Sequence, residues 1–112
     1  CDPCGAIDVV AADRARRLVI IDFDTTPNES LLLRGMDHLE WAVRNSGNLR
    51  RMYPGLDVSQ EPRLFLLAPA FSPLLVRVAR QIGGPKIVWV KYLVVDVFGR
   101  TGVFFERVGD GQ

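Results

Sequence analysis

Cysteine, histidine and lysine are all scarce in this 112-residue chain, which has two Cys, one His and two Lys. Cys1 and Cys4 stand together at the start and His38 is far away in sequence, so the spacing argues against a structural zinc site. A reduced, cytoplasmic protein is the expectation. No apolar run approaches the roughly 20 residues that cross a bilayer, which argues against a membrane or secreted protein. Charge of one sign is also missing. The 14 Lys+Arg against 13 Asp+Glu leave a formal net charge of +1, without the global basic excess that supplies an electrostatic footprint for nucleic acid. A chain opening Cys-Asp-Pro-Cys without Met is expected to lack a segment upstream.

What is present suits one compact domain. Hydrophobic residues make up 48% and charged residues 24%, enough apolar material for a core and too much for a disordered chain. The cations are twelve Arg against Lys86 and Lys91. Guanidinium is the better bidentate partner for phosphates and carboxylates, although GC-rich codon usage would produce the same bias.

Along the chain, Ala6 to Ala12 and Arg17 to Asp24 read as two strands joined by the polar turn Asp13-Arg14-Ala15-Arg16, a hairpin whose second strand is apolar on both faces. Thr26-Pro27-Asn28-Glu29 predicts a helix start, with Thr as cap, Pro at the first position and Glu three residues on. Leu32, Met36, Leu39 and Val43 form its inward stripe and Gly47 its stop. Residues 48–62 read as a loop with one helical extension from Arg50 to Tyr53. Arg63 to Ala68 is a strand, and Ser72-Pro73 starts a second helix with Leu75, Val78, Ala79 and Ile82 inward, closed by Gly83-Gly84. Lys86 to Phe98 is β-rich and turns through residues 98–102 into a last strand, Val103 to Val108. The expectation is a single α/β domain with a mixed central sheet flanked by helices, in the order β-β-α-β-α-β-β.

Three carboxylates, Asp8, Asp22 and Asp24, fall inside strand-like segments. A turn centred near residues 14–16 sets Asp8 across from Asp22, roughly 5 Å apart between Cβ atoms, and Asp22 shares a face with Asp24. Converging acids destabilise a sheet unless a cation compensates. Mg²⁺ or Mn²⁺ is one solution, because hard cations take oxygen ligands. An Arg partner for one Asp and a turn-capping role for another is the competing solution.

These residues resemble a known superfamily. The strand 6–12 with Asp8, the short basic turn and Leu18-Val19-Ile20-Ile21-Asp22-Phe23-Asp24 are similar to the core hairpin of the PD-(D/E)XK, restriction-endonuclease-like nucleases, nearest to the NucS-like or RecB-like branch. The pattern extends over roughly residues 6 to 93. The resemblance implies a restriction-endonuclease-like fold, Asp8 and Asp22 as ligands of Mg²⁺ or Mn²⁺, and catalysis by Asp8, Asp22 and the residue at position 24. There the family has lysine and this chain has Asp24, which reverses the charge offered to a phosphoryl transition state. The family's upstream glutamate has no counterpart. Lys86 or Lys91 could substitute only from a strand beside the hairpin. His38 and Trp41 read as an exposed helix residue and a core or flank residue.

Arg50, Arg51, Arg77 and Arg80, with Arg63, could track a phosphate backbone. Phe98, Phe104 and Phe105, with Trp89 and Tyr92, concentrate aromatics in the last third, and this hairpin is expected to form a homodimer interface. The sequence therefore reads first as a degenerate, non-catalytic nucleic-acid-binding or dimeric assembly module. The second reading is a metal-dependent nuclease, and the third an unrelated α/β domain that dimerises through its hairpin.

Overall fold

A computed structural model of the chain describes residues 7, 9–26, 29–83 and 86–108. The described elements are β1 (Val9–Ala12), β2 (Leu18–Phe23), α1 (Ser30–Arg44), α2 (Ser46–Met52), β3 (Arg63–Ala68), α3 (Pro73–Gly83), β4 (Ile87–Val97) and β5 (Arg100–Arg107). They make a single small α/β domain. Its five-stranded sheet runs β1-β2-β3-β4-β5, with antiparallel pairs at both ends and parallel pairs β2–β3 and β3–β4 in the middle. Among the described residues no helix is long and apolar enough to cross a membrane.

The two parallel crossovers step in the same direction across the sheet. Right-handed connections therefore bring α1 and α3 to the same face. Leu18, Ile20, Leu64, Leu66, Ala68, Ile87 and Trp89 point into that face and form one core with Leu31, Leu39 and Ala42 of α1, Leu49 of α2, and Val76 and Ala79 of α3. Gly35 lets α1 lie close against β3, since a Cβ there would come 2.7 Å from Leu66 Cδ2. On the opposite face Val19 and Val88 are buried, but outside this core. Ile21, Phe65, Leu67, Val90 and Tyr92 are half-buried there and Phe23 is exposed. Among the described elements no helix covers this second face.

Several boundaries and faces differ from the expectations. α1 begins at Ser30, with Glu29 as its N-cap residue and no side-chain cap bond; Pro27 and Asn28 lie outside the described residues. Its buried stripe is Leu31, Gly35, His38, Leu39 and Ala42, whereas Leu32 and Met36 are half-buried and Val43 is exposed. The expected stripe is thus rotated, because the smallest residue of the helix, not its largest apolar ones, sets the line of closest approach. Gly47 does not stop a helix but lies inside α2. In α3, Val76 replaces Val78 as the inward valine, and the Ile82 side chain lies outside the described residues. Among the described elements, helix covers only one face of β2.

Both hairpin turns use left-handed residues. Arg16 (φ 64°) closes the β1–β2 turn, where Asp13 Oδ1 accepts from the Ala15 and Arg17 amides and Oδ2 from Arg17 Nε. Burial by itself would raise the Asp13 pKa, but these bonds and the Arg17 charge hold it below the usual carboxylate value. The β4–β5 turn is Phe98-Gly99, with φ of 52° and 76°, the pattern of a two-residue turn with both central residues left-handed.

Candidate functional site

Asp22 sits at the carboxyl-terminal end of β2, the end where open α/β sheets place their ligand crevices. Its side chain points toward α1 and is fully buried, as is His38 on the facing turn of that helix. His38 Nδ1 and Asp22 Oδ2 are 2.6 Å apart. The sheet register sets Asp22 beside Leu66 and Leu66 beside Trp89, so the polar pair is walled by apolar side chains. A buried carboxylate needs such a partner, since leaving it unpaired would cost several kcal/mol, of order 3–5.

His38 was expected on an exposed helix face and is instead fully buried, in contact with Asp22. The signal was present in the spacing. Leu31, Gly35, His38 and Ala42 recur at helical intervals just as Leu32, Met36, Leu39 and Val43 do, but the second set is more hydrophobic and masks the first.

Asp24 leaves the strand and turns back on its own loop. Its Oδ1 lies 3.3 Å from the Thr26 amide and 3.5 Å from Thr26 Oγ1. Its backbone amide continues the ladder to the Leu67 carbonyl, and its carbonyl accepts from the Tyr92 hydroxyl at 2.7 Å. Tyr92 was not anticipated as a partner; it ties the end of β2 to β4 across β3. Asp8 lies outside the described residues, and the β1–β2 register begins at Val9↔Ile21.

The lysines do not replace the one the superfamily places at position 24. Lys86 precedes β4 and pairs with Glu61 at 3.3 Å. Lys91 shares the helix-covered face with Trp89 but registers with Ala68, beyond the row that holds Asp22. Among the described residues no group of three or more His, Cys, Asp or Glu could hold a metal ion. A buried Asp22 oxygen already in contact with an imidazole does not suit a hydrated Mg²⁺ or Mn²⁺, which keeps several waters.

The arginines are divided among elements. Exposed Arg50 and Arg51 end α2, which packs on α1, and Arg51 donates to Asn48 Oδ1. Arg77 is exposed and Arg80 half-buried on α3, which packs on β4. Arg63 stacks over the Phe65 ring at 5.5 Å.

Among the described residues the hairpin holds the largest group of exposed apolar side chains. β3 ends opposite Lys91, so residues 92–97 and 100–105 continue as a two-stranded ribbon. Leu93 and Phe104 are exposed on one face of it and Val94, Val103 and Phe105 on the other, with Phe98 at the tip. Relative exposures are 101% for Phe98, 66% for Phe104 and 63% for Phe105. The chain matches no family model, no curated protein and no solved structure.

Proposed function

We propose that this domain is a non-catalytic assembly module on a restriction-endonuclease-like scaffold, with the β4–β5 ribbon as its working surface. The observation that carries the reading is a ribbon apolar on both faces. Two strands alone are marginally stable in water, and a contiguous exposed apolar patch of this kind marks an interaction site. Phe98 adds to it. A bulky residue in the left-handed region costs about 1–2 kcal/mol, a penalty that fold stability alone would remove by placing Asn or Gly there. The Phe98→Asn variant is expected to melt higher while associating more weakly, read by thermal unfolding and by molar mass in solution.

The acids support the same reading, because Asp22 and Asp24 are engaged in holding β2 to α1 and to its own loop. Titration with Mg²⁺ and Mn²⁺, followed by calorimetry and by cleavage of single- and double-stranded DNA and RNA, tests it. The expected result is no binding heat at millimolar metal and no cleavage. Metal-dependent cleavage abolished by Asp8→Ala or Asp22→Asn, in protein that remains folded, would establish the nuclease instead. Retention of nucleic acid that is lost on neutralising Arg77 or Arg80 would make the module a nucleic-acid binder.

A further inference from the structure

β5 is a sheet edge of eight residues, with no proline, and its charges stand only at Arg100, Glu106 and Arg107. Native edges are commonly shortened, bulged or charged to block pairing, and among the described residues this one pairs with no further strand. Its outward backbone groups can be identified. The Val108 N–H donates to the Trp89 carbonyl at 2.8 Å, so alternation along the strand turns the amides and carbonyls of Gly102, Phe104 and Glu106 toward β4. Those of Thr101, Val103 and Phe105 point away from the sheet.

We propose that the partner of this edge is a second copy of the chain, joined by antiparallel β5–β5 pairing about a two-fold axis through Val103. The proposal rests on the assembly reading above and adds to it the partner and the register. Two observations select that register. Val103 lies midway between Arg100 and Glu106, so each Arg100 stands directly across from the Glu106 of the other copy, twice per dimer. Shifting the axis by one residue puts Arg100 opposite Phe104 or Val108 instead. The same axis places Phe104 opposite Gly102, where an added Cβ would meet only Val95 Cγ2 at 3.7 Å; the open surface above the glycine receives the ring, an arrangement known to stabilise glycine in strands. The outward groups of Thr101, Val103 and Phe105 then pair with those of Phe105, Val103 and Thr101 of the second copy. The interface is isologous, as two-fold dimers require. Within its own sheet Glu106 is registered with Lys91, so in the dimer it lies between two cations.

The test is the molar mass of the full chain by analytical ultracentrifugation across a concentration series, for the wild type, Arg100→Glu, Glu106→Arg and the double exchange. The wild type is expected to approach the mass of two chains. Each single reversal sets like charges opposite each other at two places and is expected to weaken association about tenfold or more. The double exchange restores opposite charges and the two-chain mass. Circular dichroism of each variant reports folding, and recovery in the double exchange shows that a single variant's loss is not misfolding. A wild type that stays at one-chain mass overturns the proposal. So does a dimer indifferent to the single reversals or not recovered by the double exchange, including one broken only by Phe65→Asp on the open sheet face. Failure of the non-catalytic reading is separate, since it appears as metal-dependent cleavage whatever the mass.

Discussion

Replacing Asp22 with Ala is expected to destabilise the domain by about 3–5 kcal/mol, because it leaves His38 buried without the carboxylate 2.6 Å away. His38→Ala removes the same 2.6 Å contact from the buried acid and is expected to cost a similar amount. Domains of this kind are stable by only about 5–15 kcal/mol, so either variant would lose much of its folded population. The double variant Asp22→Val/His38→Leu removes both polar groups and fills the space with apolar atoms. It is expected to be more stable than either alanine variant, since a buried polar pair exchanged for packed hydrophobic residues is often neutral or better. Urea denaturation of the four proteins measures this. An acid retained for metal chemistry predicts the opposite sign, because removing a functional carboxylate commonly leaves stability unchanged or raises it.

The second large effect concerns the contact between α1 and β3. The Gly35→Leu variant is expected to lose about 3 kcal/mol and to displace α1 from the sheet. A Cβ at position 35 would lie 2.7 Å from Leu66 Cδ2 and 3.1 and 3.2 Å from the two Leu64 methyls, and both leucines are fully buried. Their methyl ends cannot swing away freely in an interior packed as densely as an organic crystal. Overpacking costs roughly 1–3 kcal/mol, and a leucine adds three carbons beyond the Cβ. In Gly35→Ala the gain in helix propensity, about 1 kcal/mol, offsets part of the strain, so the alanine variant is expected to fall between the leucine variant and the wild type. His38 lies three residues along the same face, so lifting α1 is also expected to loosen its contact with Asp22. The His38 ring signals in an NMR spectrum report that loosening directly.

The sequence was readable where a pattern is local. Strand segments bounded by Gly, Pro and charged turns appear close to their expected positions, and Pro73 does open α3. The helical extension expected at Arg50 to Tyr53 is α2, longer and earlier than anticipated. What was not legible depended on a neighbour distant in the chain. The face of α1 is chosen by the fit of Gly35 over Leu64 and Leu66, a tertiary contact that outweighs the more hydrophobic stripe beside it. His38 is buried because Asp22 lies beneath it, 16 residues earlier in the chain. The last strand begins at Arg100, three residues before the expected Val103, because Phe98 takes a left-handed conformation that allows a two-residue turn. Composition gives no warning of that for a phenylalanine.

At the candidate site, the sequence pointed to Asp22 and Asp24 and to the aromatic hairpin. It could not supply their partners. The Tyr92 hydroxyl that reaches the Asp24 carbonyl comes from 68 residues away in the chain, and no spacing rule connects the two.

Amide hydrogen exchange along β5, followed as a function of protein concentration, tests the central claim most directly. The amides of Gly102, Phe104 and Glu106 face β4 and are expected to be protected at every concentration. Those of Thr101, Val103 and Phe105 face outward, and their protection is expected to rise together as concentration rises and the second strand docks. Protection of Val103 and Phe105 that never exceeds the unprotected rate, in protein concentrated well beyond the micromolar range, would contradict the account.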